Sequence, residues 1–148
     1  MNKEQLVCLI NKSKFNLIKT FLISFLFAGF SSETNAKLPT TIIKSCYDGD
    51  TCTTIDGEKI RLACIDTPEL KGKKADPIPA KEARDFLNNL VTNEEVYIRR
   101  ITKDRYGRTV AELFKNDINI QKLIVDKGYG KIYKKFSAQC NWTHKKGV

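Results

Sequence analysis

The chain is poor in the residues on which many sites are built. Its 148 residues include one His, one Met, one Trp and four Pro. His144 is the only imidazole and no two Cys stand in Cys-x-x-Cys spacing, so a zinc site of Cys and His is excluded. Long apolar runs are missing as well. The strongest, Phe21–Phe30, covers ten residues, where a membrane span needs about 20. There are no internal repeats and no low-complexity tract. Acidic residues are in the minority, 17 against 26 Lys and Arg, for a net charge of +9. With 41% apolar and 29% charged residues, the chain is neither a disordered polyelectrolyte nor an integral membrane protein. Its basicity points to an anionic partner: nucleic acid, acidic polysaccharide or anionic lipid. Charge alone does not choose among them.

What is present begins with a leader. Lys3, Lys12, Lys14 and Lys19 precede the Phe21–Phe30 run, and the polar stretch Ser31–Ala36 follows it. A basic segment, a short apolar core and a small terminal residue predict a secretory signal over residues 1–36, with Thr34 and Ala36 at the −3 and −1 cleavage positions. An uncleaved leader that tethers the chain to a membrane is the alternative. The expected mature piece, Lys37–Val148, is 112 residues long and still carries +7, so the basicity belongs to the domain. That length predicts one domain with a real core.

Cysteine usage agrees with export to the extracellular medium or a periplasm. Cys8 lies in the leader, and Cys46, Cys52, Cys64 and Cys140 leave an even number for an oxidising compartment. Three pairings are open. Cys46 and Cys52 flank Gly49 symmetrically and could face each other across a hairpin, which would leave Cys64 with Cys140. Free buried thiols are the other reading.

Alternation and β-branched content predict strands near Thr41–Tyr47, Thr51–Ile55 and Lys59–Ile65, with turns at Asp48-Gly49-Asp50 and Asp56-Gly57. Asp66–Pro79, with three Pro and a Lys cluster, reads as a surface loop. Ala80, Ala83, Phe86, Leu87 and Leu90 then fall at helical spacing. Val96–Ile101 and Val110–Phe114 read as strands, Ile118–Lys127 as a second helix capped by Gly128, and Tyr129–Tyr133 as a short extended piece. Five strands with a helix between the third and fourth suit an α+β, mainly β fold: a five-stranded barrel of the oligonucleotide-binding (OB) type.

Three polar clusters exceed what a core needs. Asp48-Gly49-Asp50-Thr51 alone reads as a hairpin turn, although a tight turn does not ask for its second Asp. Arg61 sits in an apolar strand that ends in Asp66-Thr67-Pro68-Glu69; alone, this is a solvated strand end. Asp104-Arg105-Tyr106-Gly107-Arg108 alone reads as an exposed hairpin. Together they supply what phosphodiester hydrolysis requires. Carboxylates offer hard oxygen ligands for Ca²⁺, a spare carboxylate offers a general base, and guanidinium forks meet the charge on phosphate.

These segments, in this order and near this spacing, closely resemble the three signature segments of the staphylococcal nuclease (thermonuclease) family, over about Thr41–Tyr133. The resemblance implies an OB-type barrel with helices that hydrolyses DNA and RNA with Ca²⁺ and releases 3′-phosphates. By motif position it implies Asp50, Asp66 and the Thr67 carbonyl as calcium ligands, Glu69 as general base, and Arg61 and Arg108 as the pair gripping the scissile phosphate. Arg105, Tyr106 and Tyr133 match the nucleotide pocket. The implied substrate is nucleic acid, single-stranded or denatured by preference, cut by a monomer that needs no protein partner. The family's third, C-terminal helix is expected to be missing or shortened, because Phe136–Val148 has no helical period. Either a Cys140 disulfide and Trp142 replace that helix, or stability is marginal. An OB module that binds single strands without cutting them is the competing function, and a disulfide-stapled structural protein a third.

Overall fold

The computed structural model describes residues 37–144, so the leader with its cleavage positions Thr34 and Ala36, and the last four residues, lie outside the described part. Five strands close a barrel. β1 (Thr40–Cys46) pairs antiparallel with β2 (Thr51–Thr54), and β2 with β3 (Lys59–Leu62). On its other edge β1 pairs with β5 (Glu95–Lys103), and β5 with β6 (Thr109–Lys115). A parallel pairing of β3 with β6, Arg61 opposite Val110, shuts the ring. Alternating side chains fill the interior: Ile43, Ile60, Leu62, Val96, Ile98, Ala111 and Leu113 are all buried. This is the OB-type barrel expected from the strand count.

Two helices cover its openings. α1 (Pro77–Val91) buries Ala80, Ala83, Leu87 and Val91. It begins three residues before the expected Ala80, because a proline near the start of a helix loses no hydrogen bond and presets the helical φ. α2 (Ile120–Asp126) buries Ile120 and Ile124. The expected helix at Ile118 is delayed by two residues: Ile118–Asn119 form β7 on the edge of β6, and the Asn119 side chain then caps the helix by accepting from the Lys122 amide at 2.8 Å. Gly128, with φ +80°, ends it as expected.

The expected strand Lys59–Ile65 is in fact two. It breaks at Ala63–Cys64, where Cys64 adopts φ +65°, and Ile65–Asp66 form β4, paired with β8 (Lys131–Ile132). The break turns Asp66 away from the barrel wall and toward the C-terminal segment. Both favoured disulfides are formed. Cys46 and Cys52 are direct cross-strand partners, and Cys64 joins Cys140. After β8 the described chain makes two 3₁₀ turns, Lys134–Gln139 and Asn141–Thr143. Cys140 is fully buried, and the Trp142 indole N–H donates to the buried Glu112 at 2.9 Å. The disulfide and Trp142 thus anchor the described C-terminal segment to the barrel.

Candidate active site

The β1–β2 connection carries the first cluster, and it is a wider loop than a tight hairpin turn. The Tyr47 amide bonds the Thr51 carbonyl at 2.8 Å, and the Asp50 amide bonds Asp48 Oδ1 at 3.0 Å. The loop lies flat against α1 only because residue 49 has no side chain. A Cβ there would stand 2.7 Å from Ala83 Cβ and 3.0 Å from Thr67 Cβ. Asp50 is consequently sunk beneath the surface, 4% exposed, with Asp48 beside it at 6%. Asp50 Oδ2 meets Arg61 Nη2 at 3.0 Å and accepts from the Thr67 hydroxyl at 3.0 Å and the Thr67 amide at 3.2 Å. The last bond lays the Asp66–Thr67 peptide against the Asp50 carboxylate.

Electrostatically this corner lacks positive charge. Burial pushes the Asp50 carboxyl up to about 7 and Asp48 adds to the effect, although Arg61 and the Thr67 hydrogen bonds work the other way. Of the two buried carboxylates only Asp50 meets a guanidinium, and a further cation would favour the ionised forms. The available donors are hard oxygens: the carboxylates of Asp50 and Asp66 and the Thr67 carbonyl. Among the described residues, no three His, Cys, Asp or Glu side chains converge as a ready metal cage. A partial oxygen set of this kind fits a hard divalent ion that keeps part of its water shell. Asp66 is more open than Asp50, and its carboxylate lies 3.5 Å from Lys131 Nζ.

Arg61 projects from β3 and is held by the turn that breaks the strand. Nη1 donates to the Leu62 carbonyl at 2.8 Å and Nη2 to the Ile65 carbonyl at 3.0 Å. With the Asp50 contact this fixes the plane of the guanidinium, leaving its Nε–H and one Nη1–H without a partner among the described residues. Arg108 is oriented just as firmly. Its Nε donates to Asp104 Oδ2 at 2.7 Å, its amide to Asp104 Oδ1 at 3.0 Å, and Nη1 to the Thr51 hydroxyl at 3.2 Å. Burial alone would raise Asp104, but the Arg108 guanidinium and the Arg108 and Tyr106 amides hold its carboxyl below the usual range.

The same hairpin displays Tyr106, 68% exposed, with the Arg105 guanidinium 4.8 Å from its ring centre and that of Arg108 at 5.5 Å. Glu69 follows β4 on an exposed segment pinned by its backbone, whose carbonyl accepts from the Asp76 amide at 3.0 Å. A single cleft of about 600 Å³ gathers these groups. Arg61, Asp66, Glu69, Arg105, Tyr106, Arg108 and Tyr133 all line it. Asp50 and Thr67 do not line it; both are buried, Asp50 holding Arg61 and Thr67 holding Asp50.

Asp48 and Asp104 also line it, and so do Lys103, Lys135, Phe136 and Gln139, to which the sequence assigned no role. Asp104 stood in plain view within the third cluster, and its spacing of four from Arg108 was the signal. Lys135 and Phe136 sit in a segment without periodicity. Only the favoured Cys64–Cys140 pairing could have placed that segment beside the Arg61–Asp66 turn.

A family model described as "Staphylococcal nuclease homologue" matches residues 59–147. An "Uncharacterized endonuclease" of Haemophilus influenzae is 33% identical over 133 residues, covering 87% of this chain and 69% of that protein. An uncharacterised protein of Bacillus anthracis is 38% identical over 90 residues, covering 56% of this chain and 42% of its own. "Probable endonuclease LCL3" of Leptosphaeria maculans is 36% identical over 72 residues, covering 43% of this chain and 24% of its own. The chain thus spans less than half the length of the last two.

Proposed function

The chain belongs to the staphylococcal nuclease family, and on that premise we propose that it is an exported, calcium-dependent endonuclease of low sequence specificity. Its substrates are DNA and RNA, single-stranded or denatured by preference, and its products carry 3′-phosphates. The observation that carries this reading is the convergence of two oriented guanidiniums, Arg61 and Arg108, with the exposed carboxylate of Glu69 on one cleft.

In this reading Arg61 and Arg108 turn their remaining N–H groups to the non-bridging oxygens of the scissile phosphate. These charge-assisted donors favour the extra charge that accumulates as water attacks. Glu69 accepts the proton of the attacking water. The P–O5′ bond breaks, the leaving oxygen takes up a proton, and phosphate stays on the 3′ side. Asp104 and Asp50 fix the two guanidiniums before substrate arrives, so little reorganisation is required. Arg105, Tyr106 and Tyr133 receive the neighbouring nucleotide. A calcium ion held by Asp50, Asp66 and the Thr67 carbonyl would supply further positive charge to the same phosphate.

The test is digestion of heat-denatured DNA by the purified chain. Cleavage with Ca²⁺ that stops in EDTA, and that Glu69→Gln abolishes while salt-sensitive binding persists, supports the proposal. Full activity in EDTA, or none at any Ca²⁺ concentration, refutes it. Binding without cleavage would instead identify an OB module that holds single strands. Export through the leader is supported by the two disulfides, which persist in oxidising compartments. N-terminal sequencing of protein recovered outside the cytoplasm should begin at Lys37; an intact leader in a membrane fraction would show a tethered form.

A further inference from the structure

The segment Lys134–Gln139 is unusual for a wall of a cleft, because it buries no side chain of its own. It is tied at its two ends and, at the Ser137 carbonyl, to the Thr143 hydroxyl 2.8 Å away. The Tyr133 amide donates to the Cys64 carbonyl at 2.8 Å, and the Gln139 carbonyl accepts from Arg99 Nη2 at 2.9 Å. Cys140, fully buried, is bonded to Cys64, and Cys64 Sγ lies 3.3 Å from the Phe136 carbonyl oxygen. Most of these contacts end on Cys64, which itself sits in the turn between Arg61 and Asp66 and lines the same cleft.

We propose that Lys135 and Phe136 grip a single-stranded nucleic acid in the cleft, and that the Cys64–Cys140 disulfide is the positioning element that holds them there. The grip is present in the oxidised chain and is lost on reduction. The inference rests on the nucleic-acid reading above. Its chemistry follows from what the wall presents. Phe136 is exposed, set edge-on to Tyr133 at 5.2 Å between ring centres, with Lys135 Nζ 5.4 Å from its own centre. An exposed aromatic face beside a cation suits an unstacked base and its phosphate, which a single strand offers and a duplex does not. The reduction balances simply. A dithiol gives two electrons and two protons to the sulfur–sulfur bond, leaving thiols at Cys64 and Cys140, and closes to its own disulfide. With that bond open, six residues that bury no side chain rest on the Tyr133 amide at one end, on Arg99 Nη2 and the Thr143 hydroxyl toward the other, and on the partly buried Trp142 beyond them, none of which fixes Phe136 itself.

The experiment is anisotropy of a dye-labelled oligothymidylate titrated with the full chain in EDTA, so that binding is read without cleavage. Dithiothreitol should weaken binding about tenfold or more, as should the Cys64→Ser/Cys140→Ser double variant, in keeping with loss of one stacking contact. Cys46→Ser/Cys52→Ser, which keeps the other bridge, should itself weaken by about tenfold when dithiothreitol is added, whatever its starting affinity. Lys135→Ala/Phe136→Ala should reproduce the loss with the disulfide intact, raise KM, leave kcat within about twofold, and flatten the salt dependence by about one unit of slope. Should Cys64→Ser/Cys140→Ser fail to fold by circular dichroism, the reduced Cys46→Ser/Cys52→Ser chain replaces it. Wild-type affinity in Lys135→Ala/Phe136→Ala, or affinity indifferent to reduction, overturns the proposal. Redox-dependent binding by a chain that cuts nothing would sink the nuclease reading and leave this one standing.

Discussion

Gly49→Ala is the sharpest perturbation the site offers, because one methyl group meets three atoms that cannot step aside. The new Cβ would stand 2.7 Å from Ala83 Cβ and 3.0 Å from both Thr67 Cβ and Cγ2, where carbons prefer about 3.5–4.0 Å. Ala83 is fixed to the backbone of α1, and Thr67 is β-branched and tied through its hydroxyl and amide to Asp50. The loop itself must therefore move by roughly 1 Å, which is typical overpacking at a cost of about 1–3 kcal/mol. For a domain of this size that lowers Tm by roughly 5–20 °C. The same displacement shifts Asp50 and, through it, Arg61, so cleavage should fall by about a hundredfold. Ala83→Gly removes the closest contact. In the Gly49→Ala background it should recover part of both losses, whereas alone it weakens α1 by about 1 kcal/mol. Urea denaturation of the four chains gives the coupling directly. Additivity to within about 0.5 kcal/mol, or a Gly49→Ala chain as stable and active as the wild type, would refute the reasoning.

Three further perturbations probe separate parts of the fold. Glu112→Ala removes the buried acceptor shared by Arg99, Asn119 and the Trp142 indole; it should cost about 3 kcal/mol and red-shift the emission of Trp142, the sole tryptophan, in urea titrations. Asp104→Asn leaves the hairpin intact but loosens Arg108, and cleavage of denatured DNA should drop at least about tenfold without a change in Tm. Glu58 is held below its ordinary 4.5 by the Arg100 hydrogen bonds, helped by the Thr109 hydroxyl. Its stabilising effect is therefore present above pH 4.5 and fades as pH falls through the lowered value, so wild type should exceed Glu58→Gln by about 1 kcal/mol or less at pH 7 and the gap should close in acid.

What could be read from sequence was whatever depends on neighbours along the chain. Strand alternation, the Gly128 stop and the three polar clusters are local signals, and each fell where the structure has it. The errors cluster where tertiary contacts overrule local pattern. Ile65 looks like the end of a strand, but closure of β3 against β6 leaves it on the far side of a turn, where it pairs with Ile132. Pro77 and Pro79 look like loop residues until α1 needs a first turn. Phe136 and Lys135 lie more than 20 residues from any of the clusters, and no local period announces their place in the cleft. The depth of Asp50 was hidden for a related reason: a turn with two Asp reads as surface, and only the close approach of α1 to Gly49 buries it.

That burial explains why the domain carries two disulfides around its cleft. Sinking Asp48 and Asp50 side by side is costly, with Arg61 pairing Asp50 alone, and burial pushes Asp50 up to about 7. The Cys46–Cys52 bridge closes the neck of the very loop that bears them, with a sequence separation of 6, and Cys64–Cys140 closes one of 76. By the chain-entropy estimate these contribute about 2 and about 4.5 kcal/mol. The larger figure matches the burial of about two apolar side chains. A covalent tie delivers that stability without filling the space beside Arg61 and Asp66. Lys135 and Phe136 line the cleft on that side, so the element that ties down the tail also leaves this wall of the cleft exposed.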